Sequence, residues 1–151
     1  MVDRYDLLKL CNQLCFPLYA STRATSRYYR RFMDEMGLTY TQYLVMLVIW
    51  EQKQINLKSL GEQLYLDSGT LTPVLKRLEE KGYISRSRLA ADERNLIVCV
   101  TEAGESLKDP VLEIYHRMEA WRPLSDEKSQ KLNELLAEAI SNYEAKFREM
   151  D

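Results

Sequence analysis

The chain has 151 residues, of which 46% are hydrophobic and 29% charged, and its formal net charge is -2. This length fits one compact unit with a sizeable core and excludes two ordinary domains. The slightly negative charge excludes nucleic-acid binding through global charge alone, so any DNA contact must come from a local basic patch. Such a patch is available, because residues 1–101 contain 14 Lys and Arg against 11 Asp and Glu, whereas residues 102–151 contain 7 against 12.

No segment approaches the roughly 20 apolar residues of a membrane span, and the amino terminus lacks a secretory signal pattern. We therefore expect a cytoplasmic protein without a membrane partner. The three cysteines, Cys11, Cys15 and Cys99, form no Cys-x-x-Cys pair, and His116 is the single histidine. These residues argue against a disulfide scaffold and against structural zinc. We expect no metal and no cofactor, and any chemistry should be thiol chemistry.

The first forty residues repeat apolar side chains at three- and four-residue steps, which is the spacing of amphipathic helices. Pro17 interrupts this pattern. Either a short helix ends near Leu14 and the main helix starts near Phe16, or one helix kinks, and we favour two helices. The main helix should run to about Met36 and end at Gly37.

Two further helices follow. Thr39 is expected to cap a helix at about 40–51, whose surface is apolar nearly all round and therefore predicts a place in the centre of the core. Asn56 should begin the next helix, at 57–65, with one buried side.

A fourth helix is predicted between Asp67 and Gly82, because capping residues open this segment and a glycine closes it. Outside its apolar stripe it carries hydroxyl groups first and cations last: Ser68, Thr70, Thr72, Lys76 and Arg77. Such side chains can contact base edges and phosphates, although a solvated helix face explains the same pattern. The short turn before this helix makes the pair a helix-turn-helix candidate.

After Gly82 the apolar spacing changes to every second residue, which is typical of strands. Residues 83–88 should form one strand, with Arg86 and Arg88 on one face as DNA contacts, and residues 95–101 its partner. The link between them is too long and polar for a two-residue turn. A helix-turn-helix followed by a basic hairpin is the order of a winged helix.

The carboxy-terminal third is again helical. Thr101 should start a helix that bends or restarts at Pro110, and Ser125 should cap the last helix. One apolar stripe follows the last helix: Leu132, Leu135, Leu136, Ala139, Ile140 and Tyr143. Terminal helices with one such stripe cover their own domain or pair with a second copy, and we favour a homodimer because the winged-helix core is already complete.

The expected fold class is therefore mainly α with a small β-hairpin wing. We expect a single unit, 1–151, with a winged helix-turn-helix DNA-binding core at 39–101 and dimerisation helices at 1–36 and 102–151. A two-fold dimer would place two reading helices on one face of DNA.

Several segments resemble the MarR family of winged-helix regulators. They are residues 64–79 (LYLDSGTLTPVLKRLE), the wing residues 92–94 (DER) and residues 96–104 (LIVCVTEAG). Residues 14–20 (LCFPLYA) and 38–44 (LTYTQYL) resemble one branch, the organic-hydroperoxide-resistance regulators. The resemblance implies a homodimeric repressor rather than an enzyme, which binds a pseudo-palindromic double-stranded operator and leaves it when an organic hydroperoxide oxidises a cysteine.

The resemblance also assigns residues. It implies that Cys15 is the sensing cysteine, that Tyr29 and Tyr40 hydrogen-bond it across the dimer, and that Tyr19 lines its pocket. It places DNA contacts on the fourth helix at Ser68, Thr70, Thr72, Lys76 and Arg77, and on the wing at Arg94, held by Asp92. The carboxy-terminal helices lack the resolving cysteine of two-cysteine members, so the resemblance favours an external small thiol as partner of oxidised Cys15, with Cys11 and Cys99 as alternatives.

The chemistry expected at Cys15 follows from its place near a helix amino terminus, where unpaired N–H groups favour the thiolate that attacks a peroxide. The resulting sulfenic acid can form a disulfide with a second thiol. The competing interpretation of Cys15 is a small buried hydrophobic residue. We expect Cys11 to pack, Cys99 to be structural and His116 to be solvated.

Other functions fit the same pattern. The chain could be a MarR-type regulator released by a phenolic or other small ligand, a thiol peroxidase, or a winged helix that binds only protein.

Overall fold

Helices make up most of the chain, and a small antiparallel sheet accompanies them. The computed structural model describes residues 4–89, 92–120 and 122–150, and for residues 89 and 92–95 it describes the backbone alone. The chain divides into two units, residues 1–114 and 115–151. Within the described ranges no helix combines the length and apolarity that crossing a bilayer requires. The predicted class, mainly α with a small β element, is confirmed.

The amino terminus differs from the prediction. Instead of a short α-helix ending near Leu14, the chain forms two 3-10 turns, Asp6–Leu8 and Leu10–Asn12. Neither turn buries a side chain. A helix this short gains little from hydrogen bonding alone, and without a buried apolar face nothing extends it.

Helix α1 (Cys15–Met33) begins close to the predicted start. Pro17 lies in its first turn, where the missing N–H costs no hydrogen bond, so the two-element prediction holds at this point. A 3-10 turn, Asp34–Met36, then leads to Gly37, whose φ of 62° ends the segment as predicted.

Helix α2 (Tyr40–Gln52) lies at the centre of the core, as its apolar surface predicts. A reciprocal capping box starts it: the Thr39 hydroxyl accepts from the Gln42 N–H at 3.2 Å, and the Gln42 side chain accepts from the Thr39 N–H at 3.0 Å. Val45, Met46 and Ile49 are fully buried.

The helix-turn-helix consists of α3 (Leu57–Leu64) and α4 (Ser68–Glu80), joined by three residues. Both predicted caps are present. The Asn56 side chain accepts from the Ser59 N–H at 2.8 Å, and Asp67 accepts from the Thr70 N–H at 2.8 Å.

Three antiparallel strands form the sheet, in the order β1 (Gln54–Asn56), β3 (Asp92–Val100), β2 (Ile84–Leu89). The short strand β1 was not predicted. The hairpin link is also shorter than predicted: Leu89 pairs with Asp92, which leaves two residues between the strands. Backbone pairing does not depend on side-chain polarity, so polar residues predicted as a loop extend the strands.

Helix α5 (Glu102–Ser106) follows the wing, and Thr101 caps it by accepting from the Gly104 N–H at 3.1 Å. The indole N–H of Trp50 donates to the Gly104 carbonyl at 2.8 Å. A Cβ on Gly104 would lie 2.0 Å from the carbonyl oxygen of Tyr83. Helix α6 (Lys108–Glu119) then starts anew with Pro110 in its first turn, as predicted.

The second unit is dominated by α7 (Asp126–Met150), which contains no buried residue. Arg122 precedes it and pairs with both Glu119 and Asp126. Four members of the predicted stripe are exposed in the protomer: Leu132, Leu135, Ile140 and Tyr143.

Candidate functional site

Helix α4 presents the predicted polar side chains to solvent. Leu71, Leu75 and Leu78 are completely buried and hold one side of the helix against the core. The five predicted side chains lie outside that stripe and are all exposed: Ser68, Thr70, Thr72, Lys76 and Arg77. Three of them share a row because they are spaced by four residues: Ser68, Thr72 and Lys76.

Local hydrogen bonds orient this face. The Thr70 hydroxyl donates to Asp67 Oδ2 at 2.9 Å, and the Thr72 hydroxyl donates to the Ser68 carbonyl at 2.6 Å. Both hydroxyl oxygens keep lone pairs that can accept from a base. The hydrogen bonds from Thr70 hold the pKa of Asp67 below its usual range, which keeps the cap charged.

The cations of the surface differ in availability. Lys76 lies 3.9 Å from Glu80, and both side chains are exposed, so this pair is weak and Lys76 can turn to a phosphate. Arg77 and Arg88 are exposed. Arg94 and its expected partner Asp92 have side chains outside the described residues.

Arg86, a predicted DNA contact, has a partner within the protomer. Its guanidinium donates to Glu79 Oε2 from Nε at 2.9 Å and from a terminal nitrogen at 2.6 Å, and its backbone N–H donates to Glu79 Oε1 at 3.0 Å. This arrangement holds the pKa of the Glu79 carboxyl below its usual range. Arg86 therefore links α4 to the wing within the protomer, and its contact with DNA stays a prediction. The sequence pattern could not reveal that Glu79 pairs with Arg86, because the two residues lie seven positions apart on either side of a turn.

Cys15 is the first residue of α1, as predicted, and its side chain is exposed. The exposure excludes the buried hydrophobic alternative in the protomer.

Cys11 is also exposed, in the second 3-10 turn, so the expectation that it packs is wrong. Cys99 is half-buried in β3, opposite Gln54 and Ser85. His116 is exposed, as expected.

The structure brings two of the three predicted tyrosines together. The rings of Tyr29 and Tyr40 have centroids 4.7 Å apart, and Tyr43 packs beside both. Burial raises the pKa of Tyr40, so its hydroxyl stays protonated and can donate a hydrogen bond. Tyr19 lies apart from this cluster. It is exposed, and its hydroxyl accepts from Arg23 at 3.2 Å.

Cys15 and Tyr29 cannot meet within one protomer. They are 14 residues apart on α1, and an α-helix rises 1.5 Å per residue, so about 21 Å separates their positions along the axis. Any contact between this thiol and the tyrosine cluster therefore requires a second copy of the chain.

A groove of about 690 Å³ lies between α1 and the start of α2. Three arginines spaced along one side of α1 line it: Arg23, Arg27 and Arg30. Thr39, Tyr40 and Thr41 also contribute to the wall. Their spacing of four and three residues places the three arginines on one face of α1.

Comparisons with known proteins bear on this arrangement. The family described as "Transcriptional regulator SarA/Rot" matches residues 27–111. The organic hydroperoxide resistance transcriptional regulator of Bacillus subtilis is 48% identical over 114 residues, which cover 76% of this chain and 78% of that protein. The regulator SarZ of Staphylococcus aureus is 47% identical over 105 residues, which cover 70% and 71%.

Solved structures agree. AbfR of Staphylococcus epidermidis is 36% identical, with a TM-score of 0.77 over 93% of this chain and 98% of that one. AbfR is also known bound to DNA, in a reduced and in an overoxidised form. The predicted winged-helix architecture and the resemblance are both confirmed. The chain belongs to the MarR family of winged-helix transcriptional regulators, in the group of the organic hydroperoxide resistance regulators.

Proposed function

We propose that the chain is a cytoplasmic homodimeric repressor that releases operator DNA when an organic hydroperoxide oxidises Cys15. The observation that carries this proposal is the Cys15 thiol, which is the first residue of α1 and is exposed to an attacking peroxide. The names of the relatives support both parts, since one is an organic hydroperoxide resistance regulator and another is described in an overoxidised form. The relatives are described as regulators, not as enzymes.

Oxidation of Cys15 needs two co-reactants, an organic hydroperoxide and a small thiol. The Cys15 thiolate attacks one peroxide oxygen, the O–O bond breaks, and the alkoxide takes a proton and leaves as an alcohol, so Cys15 becomes a sulfenic acid. A small external thiol then displaces water and forms a mixed disulfide. Because about 21 Å separates Cys15 from Tyr29 in one protomer, the hydroxyls that stabilise the thiolate come across the dimer, from Tyr29 and Tyr40. Tyr19 lines the same pocket.

The dimer is proposed from exposed apolar side chains at both ends of the chain. They include Leu7, Leu10 and Leu14 before α1, and Leu135 and Tyr143 in α7. Such patches on a soluble protein mark interaction surfaces. Residues 1–36 and 102–151 are therefore the dimerisation elements, and residues 39–101 form the DNA-binding core.

On DNA, α4 enters the major groove and the wing reaches the minor groove. The proposed contacts are Ser68, Thr70, Thr72, Lys76, Arg77, Arg88 and Arg94, with Asp92 orienting Arg94. The operator is pseudo-palindromic because a two-fold dimer presents the same helix twice.

The experiment titrates the protein against a DNA duplex from the promoter region of its own gene. The titration is carried out with and without cumene hydroperoxide and cysteine. Wild type should bind when reduced and release DNA when oxidised in the presence of the small thiol. AbfR is described as overoxidised and bound to DNA, so oxidation without the thiol should be less effective at release. Cys11→Ser is the matched control and should behave as wild type, whereas Cys15→Ser should stay bound.

A second candidate function is release by a small anionic ligand. The groove lined by Arg23, Arg27 and Arg30 favours it, because arginines bind carboxylates in two-point contacts. Salicylate would then release DNA from Cys15→Ser, and peroxide would have no effect on any variant. Catalytic consumption of peroxide with a thiol reductant, without any change in DNA binding, would instead indicate a thiol peroxidase.

A further inference from the structure

Tyr65 has a backbone conformation that disfavours its side chain. It ends α3 with φ 54° and ψ 40°, in the left-handed region, and its N–H donates to the Gly61 carbonyl. Glycine and asparagine normally occupy such helix ends, because a Cβ is crowded there. Lys53 is the other non-glycine residue with positive φ in the described chain.

The same turn does use a glycine, but at a different position. A Cβ on Gly61 would lie 2.6 Å from the Leu66 carbonyl oxygen, so Gly61 is required for close approach. The turn therefore has a glycine at position 61, where there is no space for a Cβ. At position 65 it has a tyrosine, although the backbone conformation there favours glycine. Strain of this kind persists mainly at functional positions.

Tyr65 is also exposed, at 65% of its surface. Among the described side chains between Leu38 and Val100, Tyr65 and Leu47 are the exposed large apolar ones. The remaining exposed apolar side chains lie near the two ends of the chain, where the proposed dimer would cover them. The Tyr65 ring and hydroxyl have no ring contact or hydrogen bond to described residues, so folding does not explain this tyrosine.

Its position points to the partner. Tyr65 stands two residues before the cap Asp67 and three before Ser68, the first residue of α4. Three peptide steps span at most about 11 Å between the Cα atoms of Tyr65 and Ser68. A duplex whose groove receives the start of α4 therefore lies close to the turn that carries Tyr65.

We propose that Tyr65 is a DNA-backbone contact beside α4, with its hydroxyl donating to a phosphate oxygen and its ring lying against the adjoining sugar. Tyrosine hydroxyls are among the groups that bind phosphates in protein–DNA complexes. The inference rests on the proposed DNA-binding function. It has two physical consequences: a backbone contact is independent of base sequence, and a neutral donor does not add to the release of counterions.

The test compares wild type, Tyr65→Phe, Tyr65→Gly, Lys53→Gly and Arg77→Ala on a duplex from the chain's own upstream region and on a scrambled duplex of equal length. Tyr65→Phe keeps the ring and the backbone strain, so it should weaken binding about fivefold on both duplexes. The slope of log affinity against log salt should not change. Tyr65→Gly should weaken binding further, because it removes the whole side chain that contacts DNA. It should also raise the midpoint of thermal unfolding, because it removes the backbone strain.

The controls separate the possible failures. Lys53→Gly changes a residue with similarly positive φ before β1 and should leave DNA affinity unchanged. Wild-type affinity in both Tyr65 variants, with Arg77→Ala weakened, would overturn the inference and leave the proposed function intact. A loss confined to the upstream duplex, or a shallower salt slope in Tyr65→Phe, would also overturn it. Absence of DNA binding by wild type would overturn both proposals.

Discussion

Glu79 and Arg86 form a three-point contact that joins α4 to strand β2. One carboxylate oxygen accepts from the Arg86 backbone N–H at 3.0 Å, and the other accepts from the guanidinium at 2.9 Å and 2.6 Å. The two residues flank the turn at Gly82, whose φ is 75°. This pair fixes the start of the wing relative to α4, so it positions two surfaces that must meet DNA together.

Removal of this pair should weaken DNA binding more than folding. Glu79→Ala should reduce DNA affinity severalfold, because the wing is no longer held against α4. The free energy of unfolding should fall by roughly 1 kcal/mol, since the pair is partly exposed to solvent. Glu80→Ala, on the neighbouring exposed residue, is the control and should leave affinity unchanged or higher. Equal affinity of Glu79→Ala and wild type in a fluorescence anisotropy titration would contradict the positioning role.

The same pair predicts a pH dependence of stability. Arg86 lowers the pKa of Glu79, so the folded state holds this carboxylate charged at a pH where the unfolded chain already takes up a proton. The stabilisation is therefore complete above the ordinary glutamate pKa of about 4.3 and is lost as pH falls through the lower folded pKa. In urea unfolding between pH 7 and pH 3, the stability difference between wild type and Glu79→Gln should shrink below about pH 4. A difference that stays constant over this range would show that the carboxylate charge does not matter.

The Asp67 cap predicts a graded effect on α4. Asp67→Ala removes the acceptor for the Thr70 N–H and should lower the stability of the protein. DNA affinity should fall as well, because fraying displaces Ser68 and Thr70. Asp67→Asn keeps a capping oxygen and should retain most of the stability. Chemical denaturation of the three proteins measures this order, and equal stability of Asp67→Ala and Asp67→Asn would contradict it.

Close packing at Gly104 should make this position intolerant of a larger residue. Gly104→Ala would place a methyl group 2.0 Å from the Tyr83 carbonyl oxygen, which is backbone and cannot turn aside. We expect a loss of roughly 1–3 kcal/mol, measured by urea unfolding. Ala103→Gly, at the exposed neighbouring position, is the control for backbone entropy and should cost less than Gly104→Ala. Wild-type stability in Gly104→Ala would show that the two segments can separate without cost.

Local signals allowed much of the helical fold to be predicted from sequence. Thr39, Asn56, Asp67 and Thr101 each accept the capping hydrogen bond that their residue types predict. Helix capping depends on side chains within three residues of the helix start, and that information is present in sequence.

Strand limits were harder to predict. Three-residue β1 is too short for a period-two pattern, and it exists because β3 offers a pairing edge. The extension of the hairpin to Leu89 and Asp92 also depends on backbone pairing between strands, not on side-chain pattern. Both are tertiary effects that override local propensity.

The sequence predicted which residues form the candidate site, but not how they are arranged in space. Sequence and resemblance named Cys15, Tyr29 and Tyr40. The structure shows that the rings of Tyr29 and Tyr40 pack together and that Tyr29 lies about 21 Å along α1 from Cys15. The prediction that Arg86 contacts DNA was based only on its charge and its place in the strand. Its partner Glu79 becomes its neighbour only when the Gly82 turn folds.

The central claim is that the oxidation state of Cys15 controls DNA binding. The most direct measurement follows anisotropy of the labelled upstream duplex during a cumene hydroperoxide titration with cysteine present, with mass spectrometry of the same samples. The fraction of released DNA should track the fraction of Cys15 in a mixed disulfide, and Cys15→Ser should stay bound at every concentration. Release of Cys15→Ser at the wild-type concentration, or retention of DNA by protein fully modified at Cys15, would contradict the account.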